Sequence, residues 1–207
     1  MNCYAFIGIQ GSGKGTQAVK LSAYLNYQHV NIGDLFRNNI HSGTKLGQQV
    51  QEIIQQGRLV PDSTVFELIK NSEAPEAKGI VFDGFPRTVP QAEYLLQNYN
   101  LKRVFYLDLS EDTALERIKA RRVCQNCGEN YNLTTQPPAV QGVCDVCGGS
   151  LIIRDDDKPE AIHKRFKEFN KQTLPLKAFF SEHNLLLSIP AEGSITEIFE
   201  QILNNLS

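Results

Sequence analysis

Gly8-Ile9-Gln10-Gly11-Ser12-Gly13-Lys14-Gly15-Thr16 packs four glycines, a lysine and two hydroxyls into nine residues. Glycines lack a Cβ, so successive backbone N–H groups can converge on an anion, and a lysine adds a mobile point charge for phosphate oxygens. Residues 3–8 are an apolar run, and after the loop Ala18, Leu21 and Leu25 fall on one face of a helical pattern. A strand that turns through such a loop into a helix N-terminus binds phosphate. The pattern therefore assigns Lys14 to the β/γ oxygens of a nucleoside triphosphate, with Gly11, Ser12, Gly13, Gly15 and Thr16 around them. Gly15 stands where phosphate loops in general carry Ser or Thr, and the hydroxyl comes one residue later. A second buried strand, Ile80-Val81-Phe82, ends in Asp83. A carboxylate there, on a strand beside the loop, is suited to hold Mg²⁺ or its water shell together with Thr16.

Another chemistry is written in cysteine. Cys124-Gln125-Asn126-Cys127 and Cys144-Asp145-Val146-Cys147 are separated by 16 residues, and each pair is followed by glycine, Gly128 or Gly148. Two such knuckles point to a four-thiolate Zn²⁺ site. Thiol–disulfide chemistry is the weaker alternative, because neither pair opens an evident helix in a βαβ unit. A nucleic-acid-reading zinc ribbon is the other, but no Lys or Arg occurs from Gln125 to Ile153. With all four positions filled by cysteine, no coordination site is left open, so the metal's expected role is to replace the apolar core that residues 123–153 lack. Cys3, the odd cysteine, reads as a small buried strand residue.

These groups need a scaffold, and 207 residues suffice for one α/β core with modest insertions. The net charge of −2 gives no long-range attraction to nucleic acid. No apolar run approaches the roughly 20 residues that span a bilayer. Met1 to Gly8 has no basic leader and reads as a strand rather than a signal peptide. Asn31 to Gly33 reads as a loop, with Asp34 as N-cap of a glycine-broken helical segment reaching Leu59. Pro90 sits near the start of a helix through Leu95, Val104–Leu109 is a third strand, and Ser110 caps the next helix. Helical periodicity lapses between Val123 and Ile153 and resumes from Pro159 through Ile162, Phe166 and Phe169. A last strand at Leu185–Ile189 and a helix from Ile195 close the chain. Strands alternating with helices predict a mostly parallel sheet covered on both faces.

In this order the motifs resemble the adenylate kinase family, in its long bacterial form, over essentially the whole chain. The resemblance implies an α/β P-loop kinase core at residues 1–30, 61–122 and 161–207. It also implies a helical monophosphate-binding insertion at 31–60 and a zinc-knotted lid at 123–160. Gly33-Asp34-Leu35-Phe36-Arg37 is similar to the family's Gly-Asp-x-x-Arg, which gives Arg37 to the AMP phosphate. Leu59-Val60 resembles the wall of the AMP base. Asp83-Gly84-Phe85-Pro86-Arg87-Thr88 with Gln91 resembles the signature stretch, with Gly84 in the AMP site, Arg87 at the AMP phosphate and Gln91 reading adenine. Arg117 and Arg121 match the arginines before the lid on the ATP side, Arg154 the one after it, and Arg165 that on the following helix. Arg154 and Arg165 also reach AMP. Lys14, Arg87, Arg121, Arg154 and Arg165 are then the catalytic set, and Asp156 and Asp157 the pair that fastens the lid hinge. Arg117 and Arg121, four apart, would share one helix face, and such a cationic cluster needs phosphate for compensation.

Three places depart from the family. Gln10 replaces a common proline, Pro190-Ala191 replaces Asp-Gly near the ATP base, and Ile32 replaces a threonine of the monophosphate pocket. The expectation is a cytoplasmic monomer that turns Mg-ATP and AMP into two ADP, with neither nucleic acid nor membrane as partner. A UMP or CMP kinase is the nearest rival, favoured by Ile32 and opposed by Gln91. None of the four histidines, His29, His41, His163 and His183, is assigned a role.

Overall fold

The computed structural model describes residues 1–206. Strand β1 (Asn2–Gly8) is buried from Cys3 onward, as a continuous apolar run must be in the middle of a parallel sheet. It lies between β3 (Gly79–Asp83) and β4 (Asn100–Asp108); β2 (Gln28–Asn31) flanks β3, and β8 (Leu186–Pro190) flanks β4. All four pairings are parallel, giving the order β2-β3-β1-β4-β8. The strand neighbours of β1 put the C-terminal ends of β1 and β3 side by side, with Phe6 opposite Asp83. The sheet core holds Phe6, Phe82 and Phe105 with no exposed surface.

Helix α1 (Lys14–Leu25) leaves the glycine loop directly. Next come α2 (Ile32–His41) and α3 (Lys45–Gln55), packed on each other, and then α4 (Asp62–Ser72). Two expectations fail here. Gln28–Asn31 is a strand, which its single apolar residue, Val30, does not announce. Asn31, not Asp34, caps α2: its side-chain oxygen accepts the Asp34 N–H at 2.9 Å. Of the three glycines expected to break this segment, Gly43 and Gly57 do so at positive φ. Gly47 instead lies inside α3, where a Cβ would stand 2.2 Å from the Asn39 carbonyl oxygen of α2. Its missing side chain lets the two helices meet.

Thr88 caps α5 (Val89–Asn98), with Pro90 in the first turn, and Ser110 caps α6 (Glu111–Lys119). Three short antiparallel strands follow, in the order β6-β5-β7: β5 (Arg121–Cys124), β6 (Asn130–Asn132) and β7 (Leu151–Ile152). Arg121 opens β5, so it does not share a helix face with Arg117. A 3-10 turn at Asp155–Asp157 leads to α7 (Pro159–Glu168), a π-helical stretch at Phe169–Thr173 and α8 (Leu176–Glu182). Helix α9 (Ile195–Leu203) starts with a complete capping box between Ser194 and Glu197. No helix among the described residues is long and apolar enough to cross a membrane.

Candidate active site

The loop between β1 and α1 has the backbone its glycines promise. Gly13 caps α1 at φ 91°, and a Cβ on Gly8 would stand 2.7 Å from the Leu107 carbonyl oxygen. Lys14 Nζ donates to the carbonyl oxygens of Gly8 at 2.8 Å and Ile9 at 2.7 Å. Burial pushes its ammonium down to about 7 against the pull of Asp83, and Arg87, Arg165 and Arg121 push the same way. An anion in the loop would reverse that, because it favours the charged form.

Asp83 is buried beside the loop, and burial raises its pKa while Lys14 and His29 lower it. A Cβ on Gly15 would come within 3.1 Å of Asp83 Oδ2, so a glycine after the lysine is what lets the carboxylate approach. Asn31 Nδ2 donates to the same oxygen, across the β2–β3 register in which Asn31 faces Asp83. Asn31 thus caps α2 with one end of its amide and holds Asp83 with the other. His29 Nε2 stands 3.9 Å from Asp83 Oδ2. Neither Asn31 nor His29 was anticipated here; the missed strand β2 carries both.

Below the loop, α2 contributes buried Ile32 and half-buried Arg37, which pairs with Asp34. Leu59 and Val60 follow α3. Arg87 Nε donates to the Gly84 carbonyl oxygen at 2.8 Å, in a turn where Gly84 has φ 69°. The Gln91 amide is engaged at both ends: Oε1 accepts the Arg87 N–H at 2.7 Å, and Nε2 donates to Asp62 Oδ1 at 2.6 Å.

Across the cleft, two buried aspartates gather three arginines. Asp157 accepts a two-pronged contact from Arg121, with Nε at 2.8 Å, and another from Arg165 Nη1 at 2.8 Å. Asp156 takes Arg154 at 2.9 and 2.7 Å, and its backbone oxygen takes Arg165 at 2.9 Å. Burial alone would raise Asp156, but Arg165 and Arg154 hold it far below the usual carboxylate range. Burial brings Arg165 down to about 10 despite Asp156, with Arg154 and Arg121 adding to the effect. Three guanidinium groups against two carboxylates leave one positive charge in excess, ready for an anion. Arg117 lies apart, its Nη2 3.5 Å from the Glu192 carbonyl oxygen near the start of α9.

One cleft of about 760 Å³ collects these groups: the loop with Lys14 and Thr16, Ile32, Arg37, Leu59, Val60, Asp83, Gly84, Arg87, Gln91 and all four arginines. Asp156 also lines it; Asp157 works from behind, through Arg121 and Arg165. Tyr131 and Asn132 of the small sheet, Thr135 and Gln136 just after β6, and Gly193–Thr196 at the start of α9 complete the walls. Nothing in their types or spacing signals that position.

The cysteines converge outside the cleft. Their four sulfur atoms all lie within 4.8 Å of one another, with Cys124 to Cys147 at 3.4 Å and Cys127 to Cys144 at 3.6 Å. A tetrahedron of thiolates about 2.3 Å from Zn²⁺ has edges of about 3.8 Å, so the donor set fits the ion. All five cysteines are free. Only Cys124, Tyr131 and Cys144 form a buried apolar cluster here, with Leu151 against it, too little to hold about thirty residues without a crosslink.

The sequence pattern of the family described as adenylate kinase matches residues 6–185. Among the relatives, the adenylate kinase of Thermosipho africanus (strain TCF52B) is 39% identical over 206 residues, 96% of each chain. That of Ruminiclostridium cellulolyticum is 39% identical over 207 residues, 97% of each chain. That of Methanocella arvoryzae is 40% identical over 202 residues, 94% of each chain.

Proposed function

Because the chain belongs to the adenylate kinase family and is a nucleoside monophosphate kinase, we propose that its cleft holds ATP along the loop at residues 8–16 and AMP opposite, under α2 and α3. The observation that carries this is the single cleft that Lys14, Asp83 and Arg87 line together with Arg121, Arg154 and Arg165. Phosphoryl transfer asks for alignment and charge stabilisation rather than a protein nucleophile. Lys14 moves from the loop carbonyls to the β/γ oxygens, and the N–H groups of residues 11–16 hold them at the start of α1. Arg37 and Arg87 fix the AMP phosphate, Leu59 and Val60 wall its base, and Gln91 reads the base edge. Arg117 lies on the ATP base. Arg121, Arg154 and Arg165 steady the transferring group, aligned by Asp156 and Asp157.

The acidic and hydroxyl groups near the loop, Asp83 and Thr16, fit Mg²⁺ through its water shell. Held through water by Asp83 and Thr16, the ion would supply positive charge against that of the transferring phosphate. Residues 31–60 and 123–160 act as closing parts over a fixed core, and their closure keeps water from the γ-phosphate. Zinc at Cys124, Cys127, Cys144 and Cys147 stiffens the lid and takes no part in the chemistry. The enzyme works as a cytoplasmic monomer; five cysteines, none of them in a disulfide, suit a reducing compartment. The test is ADP formation from Mg-ATP with AMP, CMP, UMP and GMP as acceptors. AMP should have the highest kcat/KM; a higher value for CMP or UMP overturns the adenylate reading and leaves the broader kinase class.

A further inference from the structure

An amide side chain presents one donor and one acceptor, and half a turn about its last torsion exchanges them. Which end faces a bound base therefore decides which bases match. Adenine and cytosine show an amino group beside an unprotonated ring nitrogen. Guanine, hypoxanthine and uracil show a keto oxygen beside a ring N–H, the reverse pattern.

In this protein the turn is blocked by groups with no choice of role. A backbone N–H only donates, and that of Arg87 meets Gln91 Oε1 at 2.7 Å. An ionised carboxylate only accepts, and Asp62 Oδ1 meets Gln91 Nε2 at 2.6 Å. Asp62 is itself fixed: the Thr88 hydroxyl donates to its two oxygens at 3.1 Å each, while accepting the backbone N–H of Gln91 at 3.3 Å. Gln91 is 2% exposed, so water cannot substitute for either partner. Turning the amide would set oxygen against carboxylate and N–H against N–H. One amide N–H and one oxygen lone pair remain free, at defined ends.

We propose that Asp62 is a specificity-determining positioning residue: it locks the Gln91 amide so that the monophosphate site accepts bases with an amino group beside an unprotonated ring nitrogen and rejects keto bases. This rests on Gln91 reading the base, as set out above. Asp62 opens α4 just after Val60, so the wall of the base pocket and the lock on its reader lie on one short stretch of chain. The lock also fixes what Ile32 leaves open. An apolar neighbour discriminates weakly among bases, whereas a site with fixed polar ends rejects a mismatched partner strongly.

The experiment compares kcat/KM for AMP and IMP at fixed Mg-ATP, two monophosphates that differ at the 6-position and its neighbouring ring nitrogen. It uses the unmodified protein, Asp62→Asn and Gln91→Leu. An asparagine can offer either a donor or an acceptor, so it releases one of the two locks. The AMP/IMP ratio should then fall by about tenfold or more, the weight of a hydrogen bond to a charged group. A purely structural role for Asp62 lowers both rates together and leaves the ratio unchanged, which overturns the proposal. If Asp62→Asn fails to fold, Asp62→Ser decides on the same ratio. Gln91→Leu separates the two claims. If the ratio collapses there but not at Asp62, the lock fails and base reading stands; if it survives there, base reading itself falls.

Discussion

Asp157 has a side chain only 1% exposed, and it holds two arginines whose side chains are 19% and 15% exposed. Changing Asp157 to Asn keeps the shape and removes the charge. Arg121 then loses one prong of its contact, and an amide N–H of the new side chain points at a guanidinium. Arg165 loses one partner and keeps the Asp156 carbonyl oxygen at 2.9 Å and its carboxylate at 3.3 Å. Breaking one side of a buried ion pair costs about 3–5 kcal/mol. Because asparagine retains one acceptor and Arg165 retains Asp156, the lower figure applies. About 3 kcal/mol corresponds to a drop in Tm of about 6–12 °C for a chain of this size. Nucleotide phosphates should supply the missing anion. With saturating AMP and a non-hydrolysable ATP analogue, the deficit should shrink to about 1 kcal/mol, near the value of one hydrogen bond. The assay is thermal unfolding of both proteins with and without the two nucleotides. An equal deficit in the two conditions, or none in either, would show that the aspartate does not serve arginines that meet phosphate.

Replacing Lys14 with Met should cut kcat/KM by about a hundredfold or more, the scale of losing one preorganised charge contact, while Tm holds; near-normal turnover sinks the loop assignment. Since Lys14 sits down at about 7 before phosphate arrives, it is largely neutral above that pH and must gain a proton as ATP binds. Calorimetry at pH 8 in buffers of different ionisation enthalpy should register that uptake, and Lys14→Met should abolish it. Cys124→Ser should reduce bound zinc and expose amides of residues 124–151 to hydrogen exchange, leaving those of β1, β3 and β4 protected; uniform exchange or unchanged metal content contradicts a lid-confined role. Ile32→Thr should sharpen AMP over CMP and UMP by roughly two- to twelvefold, the equivalent of one hydrogen bond, in the ratio of kcat/KM values.

The chemistry was more legible than the elements that carry it. Lys14 with its glycines, and the four cysteines, are readable because residue type and local spacing alone define them. The parallel core was readable because β1 and β3 are unbroken apolar runs. Strand β2 was not: Gln28, His29 and Asn31 are polar, and they are in the sheet because Asp83 and its neighbours on β3 pair with them. The cap of α2 went to Asp34 in the sequence because Asn31 and Asp34 are both good capping residues, and only the strand ending at Asn31 decides between them. Arg117 and Arg121 look like one helix face because no glycine or proline separates them, yet α6 stops at Lys119. Gln91 was assigned to the base through the family resemblance of the stretch at residues 83–91. Its partner Asp62 was not legible, because the two stand 29 positions apart and nothing local links them.

Asn31 joins two places that the chain treats as separate, the Asp83 carboxylate and the first turn of α2. Ten residues at 1.5 Å each make α2 about 15 Å long, with one end tied to the sheet through this side chain and the other, at His41, leading to α3. Any swing of the helical pair therefore turns about a point that belongs to the sheet. In such a swing the His41 end would travel farthest, and the capped end, with the carboxylate beside it, least. In mechanical terms Asn31 is placed as the bearing of a lever: under the closure proposed above, α2 would swing with least disturbance at Asp83.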